Sequence, residues 1–405
     1  MSTGHVLQQD SSPRMDLLLF IVLGAIGAIT PLAIDMYLPA MPVIAHDLGV
    51  SAGSVQMTLT AYTIGFTVGQ LIQGPFSDSY GRRPVMLLGI VLFGLCSVIC
   101  ASVNDIQALT YIRAAQGFAG AAAAVVIQAV VRDMFNQENF ARAMSFITLV
   151  ITLAPLVAPM LGGHLAVLFG WRAIFWVLTG FALVVIIMVL WKIPETLKEE
   201  NRQPLNLKQT LKNYWQLCQS RHSLGLMLCG GFSFAGMFSF LTAGSFVYID
   251  IYGVSPDKFG YLFGLNILGI MLMTSINSRF VKKVGSIFML RFGLSIQFLA
   301  GLGLLSGWVF DWGLWGTVPF VVLFIGMIST IGSNAMGLLM SGYPHIAGTV
   351  SSLVGTFRFG VGSIVGVIVA AMPGEAVWPM VCSMAICSVL SGLSYWMSAR
   401  EGRGA

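Results

Sequence analysis

Twelve apolar stretches of about 20 residues, separated by short polar segments, constrain the fold of this chain more than any other feature. They are predicted at residues 16–39, 54–75, 84–103, 107–130, 142–165, 171–193, 223–249, 258–278, 285–308, 315–340, 347–371 and 376–398. Backbone polar groups in hydrocarbon need internal hydrogen bonds, so stretches of this length cross a bilayer as helices. Only 9% of residues are charged, against about 25% in soluble domains. The sequence therefore predicts an all-α membrane protein with twelve transmembrane helices.

The positions of Lys and Arg predict the orientation. With both termini in the cytoplasm, sixteen of these residues fall in inner segments and only Arg172 and Lys258 in outer loops. This asymmetry follows the positive-inside rule, so topology explains the net charge of +5 and no nucleic-acid partner is expected. We predict a multi-pass membrane protein with both termini in the cytoplasm, and the family resemblance described below implies a bacterial inner membrane.

The longest polar stretch divides the spans equally. It covers residues 194–222, with six predicted spans before it and six after it. We predict an N-terminal six-helix bundle at residues 1–193, a cytoplasmic linker at 194–222 and a C-terminal six-helix bundle at 223–405. Two halves of equal span number are typical of transporters built from internal repeats.

Asp35, Arg113 and Arg358 are the charged residues inside predicted spans that are candidates for a functional site, whereas Arg291 is near an inner end and can snorkel. An ionised carboxylate such as Asp35 costs at least about 2.5–3.5 kcal/mol in hydrocarbon. A carboxylate that can be made to accept a proton is what a proton-driven carrier requires, although Asp35 is near the outer end of its predicted span and could serve as a gate. Arg113 keeps its charge at any physiological pH. Arg358 either balances a carboxylate or binds an anionic substrate group.

An aromatic helix face is predicted in the seventh span. Phe234 and Phe238 are four residues apart and share one face, which suits a pocket for flat apolar molecules as well as ordinary packing. The polar candidates for the same cavity are Tyr37, Gln128, Asn266 and Asn334. Each of them is equally consistent with a hydrogen bond between helices.

The segment after the second span reads Gly-Pro-Phe-Ser-Asp-Ser-Tyr-Gly-Arg-Arg from Gly74 to Arg83. Gly74 and Gly81 are predicted to permit tight turns, and Asp78 to pair with an arginine or a helix N-terminus. This string resembles the G-x-x-x-D-x-x-G-R-R/K signature of the major facilitator superfamily. The resemblance implies two rocking six-helix bundles, with Gly74, Asp78, Gly81, Arg82 and Arg83 acting at the inner gate.

Two further strings resemble motifs of the same superfamily. Residues 109–120 are similar to its fourth-span motif, which implies that Arg113 takes part in proton transfer. Residues 154–163 contain two prolines and two glycines that let helices bend and approach. They resemble the antiporter motif G-P-x-x-G-G, with Ala158 in place of the first glycine. The predicted antiporter kink consists of Pro155, Pro159, Gly162 and Gly163.

Longer segments resemble one subgroup, the bicyclomycin and chloramphenicol resistance family (Bcr/CflA). They are residues 35–42, 231–240, 333–336 and 347–360. The resemblance implies a monomeric drug:proton antiporter that exports bicyclomycin and other small antibiotics. In this function Asp35 and Arg113 couple proton movement to drug movement.

The sequence also limits the energy sources that the protein can use for transport. No Lys follows a Gly, so the chain has no Walker A loop, and it has no H-E-x-x-H, G-x-S-x-G or Cys-x-x-Cys motif. We therefore expect neither an enzyme nor a cofactor or metal site. Two alternatives stay open: a proton-coupled exporter of an endogenous metabolite such as an amino acid or sugar, and a non-transporting membrane sensor.

Overall fold

The computed structural model describes residues 17–135, 137–202, 207–343, 347–374 and 376–401, and all regular secondary structure in them is helical. The chain termini predicted to be cytoplasmic and residues 203–206 of the predicted linker lie outside the described residues. The helices are α1 (Leu17–Asp35), α2 (Met41–Leu48), α3 (Ala52–Tyr80), α4 (Arg82–Ser102), α5 (Ile106–Met134), α6 (Gln137–Phe169), α7 (Arg172–Lys192), α8 (Leu207–Gln219), α9 (Arg221–Phe246), α10 (Pro256–Val284), α11 (Ser286–Val309), α12 (Gly313–Gly342), α13 (Ala347–Ala370) and α14 (Trp378–Glu401).

Twelve of these helices, namely all except α2 and α8, are long enough to cross a membrane. Eleven segments of the described chain are also apolar enough by composition. The twelfth long helix is α3, whose glutamine and threonine side chains make it more polar than the others. The prediction of an all-α membrane protein is confirmed.

The first span is longer than predicted. The sequence placed its end at residue 39, whereas the apolar helical segment continues through a short 3-10 turn and α2 and covers Leu18–Leu48. Pro39 and Pro42 lack the backbone N–H that a continuous helix would need, so the helix is interrupted within this apolar segment. Asp35 is the last residue of α1 and lies near the middle of Leu18–Leu48, farther from the end of the segment than the sequence predicted.

The long helices pack in two groups of six. In the first group, α3, α4, α5 and α7 pack on one another and α1 packs against α5, α6 and α7. In the second group, α9 packs on α12, α13 and α14, while α11 contacts α12 and α14 and α10 contacts α12. The principal contacts between the groups join α3 to α13 and α6 to α10.

The pair α3 and α5 approaches closely through two glycines. A Cβ on Gly65 would collide with the carbonyl of Ala114, and one on Gly117 would collide with the carbonyl of Tyr62. Small residues at such positions let two helix backbones come together in a membrane protein. The close approach carries Tyr62 on α3 to within reach of Arg113 on α5.

Polar side chains cluster at one end of the helices. Asp47 accepts hydrogen bonds from Trp171 Nε1 at 2.8 Å and Arg172 Nη1 at 2.9 Å. Arg172 Nη2 also donates to Asn104 Oδ1 at 2.6 Å. We call this end the Arg172 face and the opposite end, which carries Arg82, the Arg82 face.

The two helix groups are in contact from the Arg172 face into the membrane region. His46 Nε2 lies 4.0 Å from Asp250 Oδ1 across the boundary. Deeper along α3 and α13, Ser363 Oγ donates a hydrogen bond of 2.9 Å to Thr63 Oγ1. In this conformation the path between the groups is therefore closed at the Arg172 face.

Candidate functional site

Asp35 is the central acidic group of the candidate site. Its residue is only 6% exposed, and among the described residues the carboxylate has no hydrogen-bond or ion-pair partner. Burial removes the water that would solvate a charged carboxylate, and no neighbouring donor replaces that water. The charge on Asp35 therefore depends strongly on whether solvent, a proton or a ligand reaches it.

Arg113 lies on α5, which packs against α1, and its side chain is completely buried. Its Nη2 donates to the backbone carbonyl of Ala33 at 3.2 Å, two residues before Asp35, and its Nη1 donates to Gln116 Oε1 at 2.7 Å. Gln116 Nε2 in turn donates to Ser97 Oγ at 2.7 Å. The structure thus brings Arg113 to the backbone of α1 beside Asp35 without a direct ion pair between the two side chains.

Two tyrosine rings enclose the guanidinium of Arg113. Its Cζ lies 4.6 Å from the centroid of Tyr37 and 4.4 Å from that of Tyr62, distances at which a cation is attracted to a ring face. The hydroxyl of Tyr37 is hydrogen-bonded to Thr58 Oγ1 at 2.6 Å. Tyr37 therefore lines the Arg113 pocket. Tyr62 was missed because nothing in the sequence distinguishes it from a packing aromatic.

The predicted aromatic face extends across the boundary between the helix groups. Phe234 and Phe238 are 5.4 Å apart between ring centroids, and Phe359 lies 5.3 Å from Phe234. Phe66 of the first helix group contacts Phe359 at 4.6 Å. Phe238 is 1% exposed, so Phe234 and Phe359, which are partly exposed, form the accessible part of this aromatic cluster. The sequence analysis missed Phe66 and Phe359.

Arg358 lies beside this aromatic cluster. Its Cζ is 5.4 Å from the ring centroid of Phe234, and its Nε is buried without a hydrogen-bond partner. In the part of the chain that the structure describes, no carboxylate pairs with this guanidinium. Of the two roles that the sequence left open, charge balance by a carboxylate is thus absent among the described residues.

The remaining polar candidates occupy different environments. Asn334 Nδ2 donates to Asn277 Oδ1 at 2.7 Å, which makes it a link between α12 and α10. Asn266 is 2% exposed, and neither its oxygen nor its nitrogen has a hydrogen-bond partner in the described chain. Gln128 is exposed on α5, about 22 Å along the helix from Arg113 at 1.5 Å per residue. The structure therefore does not gather these three side chains with Asp35.

The segment with the superfamily signature forms an ionic network at the Arg82 face. Arg82 is ion-paired with Asp78 and donates from its Nε to Asp133 Oδ2 at 3.3 Å. Gly81 has a φ of +104°, a conformation that glycine adopts without strain. Gly74 lies inside α3, so the predicted tight turn at Gly74 is wrong.

A carboxylate from the segment after α7 completes this network. Glu195 Oε1 accepts from the backbone N–H of Arg82 at 3.0 Å, and its Oε2 accepts from that of Arg83 at 3.2 Å. Because Gly81 offers no capping side chain, Glu195 satisfies the first N–H groups of α4 and its charge suits the positive end of the helix. The sequence analysis missed both Glu195 and Asp133, because their partners are far away in the chain.

Replacing Glu195 by Ala is expected to lower the stability of the protein by about 0.5–2 kcal/mol, the usual cost of losing a helix N-cap. Thermal unfolding of the detergent-solubilised protein measures this change. Glu199→Ala is the matched control, because the Glu199 side chain is 88% exposed. Equal shifts for the two variants would show that the contacts of Glu195 with α4 carry no net stability.

The four residues of the predicted antiporter kink lie on α6, where it passes between the helix groups. Pro155 and Pro159 are inside the helix. A Cβ on Gly162 would collide with the backbone carbonyl of Met36, next to Asp35, and one on Gly163 would collide with the carbonyl of Pro256 on α10. The two glycines therefore allow α6 to touch both the Asp35 segment and the second helix group.

Comparison with known proteins identifies the family of this chain. The sequence model of the Major Facilitator Superfamily matches residues 23–367. The chain belongs to the major facilitator superfamily. Its relatives include the bicyclomycin resistance protein homolog of Haemophilus influenzae, which is 44% identical with 93% of this chain and 94% of that protein covered. The chloramphenicol resistance protein of Pseudomonas aeruginosa is 29% identical, with 95% and 91% covered. The predicted superfamily and its bicyclomycin and chloramphenicol resistance group are confirmed.

A solved structure agrees on the major facilitator fold. The structure of a nucleoside transporter superposes with a TM-score of 0.75 at 10% sequence identity, covering 94% of this chain and 99% of that one. At this identity the likeness shows the fold alone. The family therefore makes the chain a multi-pass membrane transporter of small molecules.

Proposed function

We propose that this major facilitator protein exports bicyclomycin and other small antibiotics in exchange for protons. The names of its relatives, which refer to bicyclomycin and chloramphenicol resistance, support drugs as the substrates. The single observation that supports proton coupling is the buried Asp35, which lies near the middle of its span without a partner among the described residues.

The proposed orientation places the Arg82 face in the cytoplasm of a bacterial cell and the Arg172 face outside. The excess of Lys and Arg in the segments of the Arg82 face supports this orientation. The two helix groups, residues 1–193 and 223–405, would rock against each other as a monomer. Since they touch at the Arg172 face, the conformation described here is assigned to the state closed toward the outside.

In the proposed cycle a proton and a drug compete for the environment of Asp35. In the outward-open state Asp35 takes a proton from the more acidic outside, and the neutral acid tolerates burial better than the carboxylate. In the inward-open state a drug entering from the cytoplasm displaces this proton. Arg113 touches the backbone of α1 beside Asp35, so its charge stabilises the deprotonated carboxylate during this step.

The ionic network at the Arg82 face is proposed to keep the ends of α3, α4 and α5 together during rocking. Arg82 joins Asp78 of α3 to Asp133 of α5, and Glu195 holds the start of α4. These contacts all lie within the first helix group and the segment that follows it. They would make the cytoplasmic gate a rigid edge that meets or leaves the second group.

Drug-induced proton movement tests the proposed function. The purified protein is reconstituted in liposomes with an entrapped pH dye and an imposed proton gradient, and bicyclomycin, chloramphenicol and tetracycline are added in turn. We expect a pH change that needs both protein and drug, and protein-free liposomes control for passive leak. Absence of a signal for all three drugs would contradict drug export and would favour the endogenous metabolite exporter.

A further inference from the structure

The charges inside the membrane region do not balance. Of the acidic residues that the structure describes, Asp35 is the one near the middle of a candidate span, and the others lie at span ends or outside the spans. Two arginines, Arg113 and Arg358, lie about two helical turns or more from either end of their spans. The interior therefore carries more positive than negative charge even when Asp35 is ionised.

The two arginines differ in burial and in hydrogen bonding: Arg113 is fully buried, whereas Arg358 is partly exposed with a buried Nε. Arg113 donates hydrogen bonds to a backbone carbonyl and to a glutamine and lies between two tyrosine rings. Arg358 makes no hydrogen bond and no ion pair to the described residues, and its close electrostatic contact is the ring of Phe234. A cation that lies this far inside a membrane span without an anionic partner is costly, so the site favours a ligand that supplies one.

The surroundings of Arg358 leave room for its guanidinium. A Cβ on Gly332 of α12 would meet Arg358 Nη2, the far end of a flexible side chain, so the guanidinium would have to shift from its present position. The guanidinium also lies near the ring of Phe234, which contacts Phe359, and both rings are partly exposed. A planar cation next to an aromatic wall, halfway along α13, has the two elements that recognise a flat molecule with an acidic group.

We propose that Arg358 is a specificity-determining residue that binds the carboxylate of aromatic carboxylate substrates. The guanidinium would donate two parallel hydrogen bonds to the carboxylate, while the apolar body of the substrate packs on Phe234 and Phe359. The inference rests on the proposed export function and adds aromatic carboxylates to its substrates, since bicyclomycin and chloramphenicol carry no carboxylate. It also explains why the second helix group keeps a permanent charge at a depth where charges are expensive.

Equilibrium binding with a matched pair of probes tests this assignment. The full chain in lipid nanodiscs is titrated with a fluorescent coumarin carboxylate and with the corresponding uncharged carboxamide. The wild type is expected to bind the carboxylate at least about tenfold more tightly, the factor that one hydrogen bond to a charged group supplies. Equal affinities of the wild type for the two probes would overturn the proposal.

Variants at the site separate the role of Arg358 in carboxylate binding from a general loss of folding or of ligand binding. Arg358→Gln is expected to remove the preference for the carboxylate, and Arg358→Lys to retain part of it because the charge remains. Gly332→Ala is expected to weaken carboxylate binding by displacing the guanidinium, without changing carboxamide binding. Gly337→Ala on the same helix is the control, because a Cβ there meets no atom within 4 Å. A full preference in folded Arg358→Gln would contradict the assignment.

The result is independent of the transport experiment. Carboxylate preference without drug-driven proton movement would uphold Arg358 as the anion site and reject drug:proton antiport. Proton movement without carboxylate preference would support drug:proton antiport and reject Arg358 as the carboxylate site. Chloride added in excess distinguishes a general anion site, from which it would displace the carboxylate probe, from the proposed carboxylate site, where the probe would stay bound.

Discussion

Asp35→Asn is expected to abolish drug-driven proton movement while leaving the protein folded in the membrane. Asn has nearly the shape of the protonated acid but cannot release a proton, so a cycle that depends on titration of this group stops. The variant should still bind drug. In the wild type drug binding should weaken as the pH falls, because protons compete for Asp35, and in the variant this pH dependence should disappear.

The matched control for this variant is Asp311→Asn. Asp311 is an exposed carboxylate in the loop between α11 and α12, and its φ of +49° is one that Asn also tolerates. Proton movement in the same liposome assay should therefore equal that of the wild type. If Asp35→Asn retained full drug-dependent proton movement, the coupling role would have to move to another group.

Gly163→Val is expected to open the Arg172 face and to slow transport strongly. A side chain at residue 163 would collide with the carbonyl of Pro256, so α6 and α10 could not reach their present distance. Overpacking of this kind costs about 1–3 kcal/mol, which shifts the balance between open and closed states by roughly fivefold to 150-fold. The outward-closed state would become rare, and export would fall by a similar factor.

Cross-linking of two cysteines across the boundary by a short bifunctional thiol reagent reports this shift, because the reagent spans the distance that a direct disulfide would not. In a variant without the six native cysteines, His46→Cys and Asp250→Cys replace side chains whose polar atoms are 4.0 Å apart. With Gly163 present the two thiols should cross-link quickly, and with Gly163→Val about fivefold or more slowly. Gly180→Val is the control, since a Cβ at this exposed glycine of α7 meets nothing within 4 Å. Equal cross-linking rates would show that Gly163 does not control closure.

The membrane architecture follows from the amino-acid sequence alone. Apolar stretches long enough to cross a bilayer have few alternatives to helices, so the number of long helices could be predicted without knowledge of any contact. The depth of a charged residue is also a local property, which is why Asp35, Arg113 and Arg358 could be singled out. Even so, the end of the first span was misplaced, because prolines interrupt the helix without ending the apolar segment.

Which side chains meet depends on the tertiary structure. Asn334 lies against Asn277, Glu195 reaches the start of α4 from more than a hundred residues away, and Arg358 finds no partner among the described residues. Such contacts depend on the rotation and axial position of each helix relative to its neighbours, which small residues such as Gly117 control. Span length and apolarity are the same for any such arrangement, so the sequence revealed which helices carry the charges but not which charges are balanced.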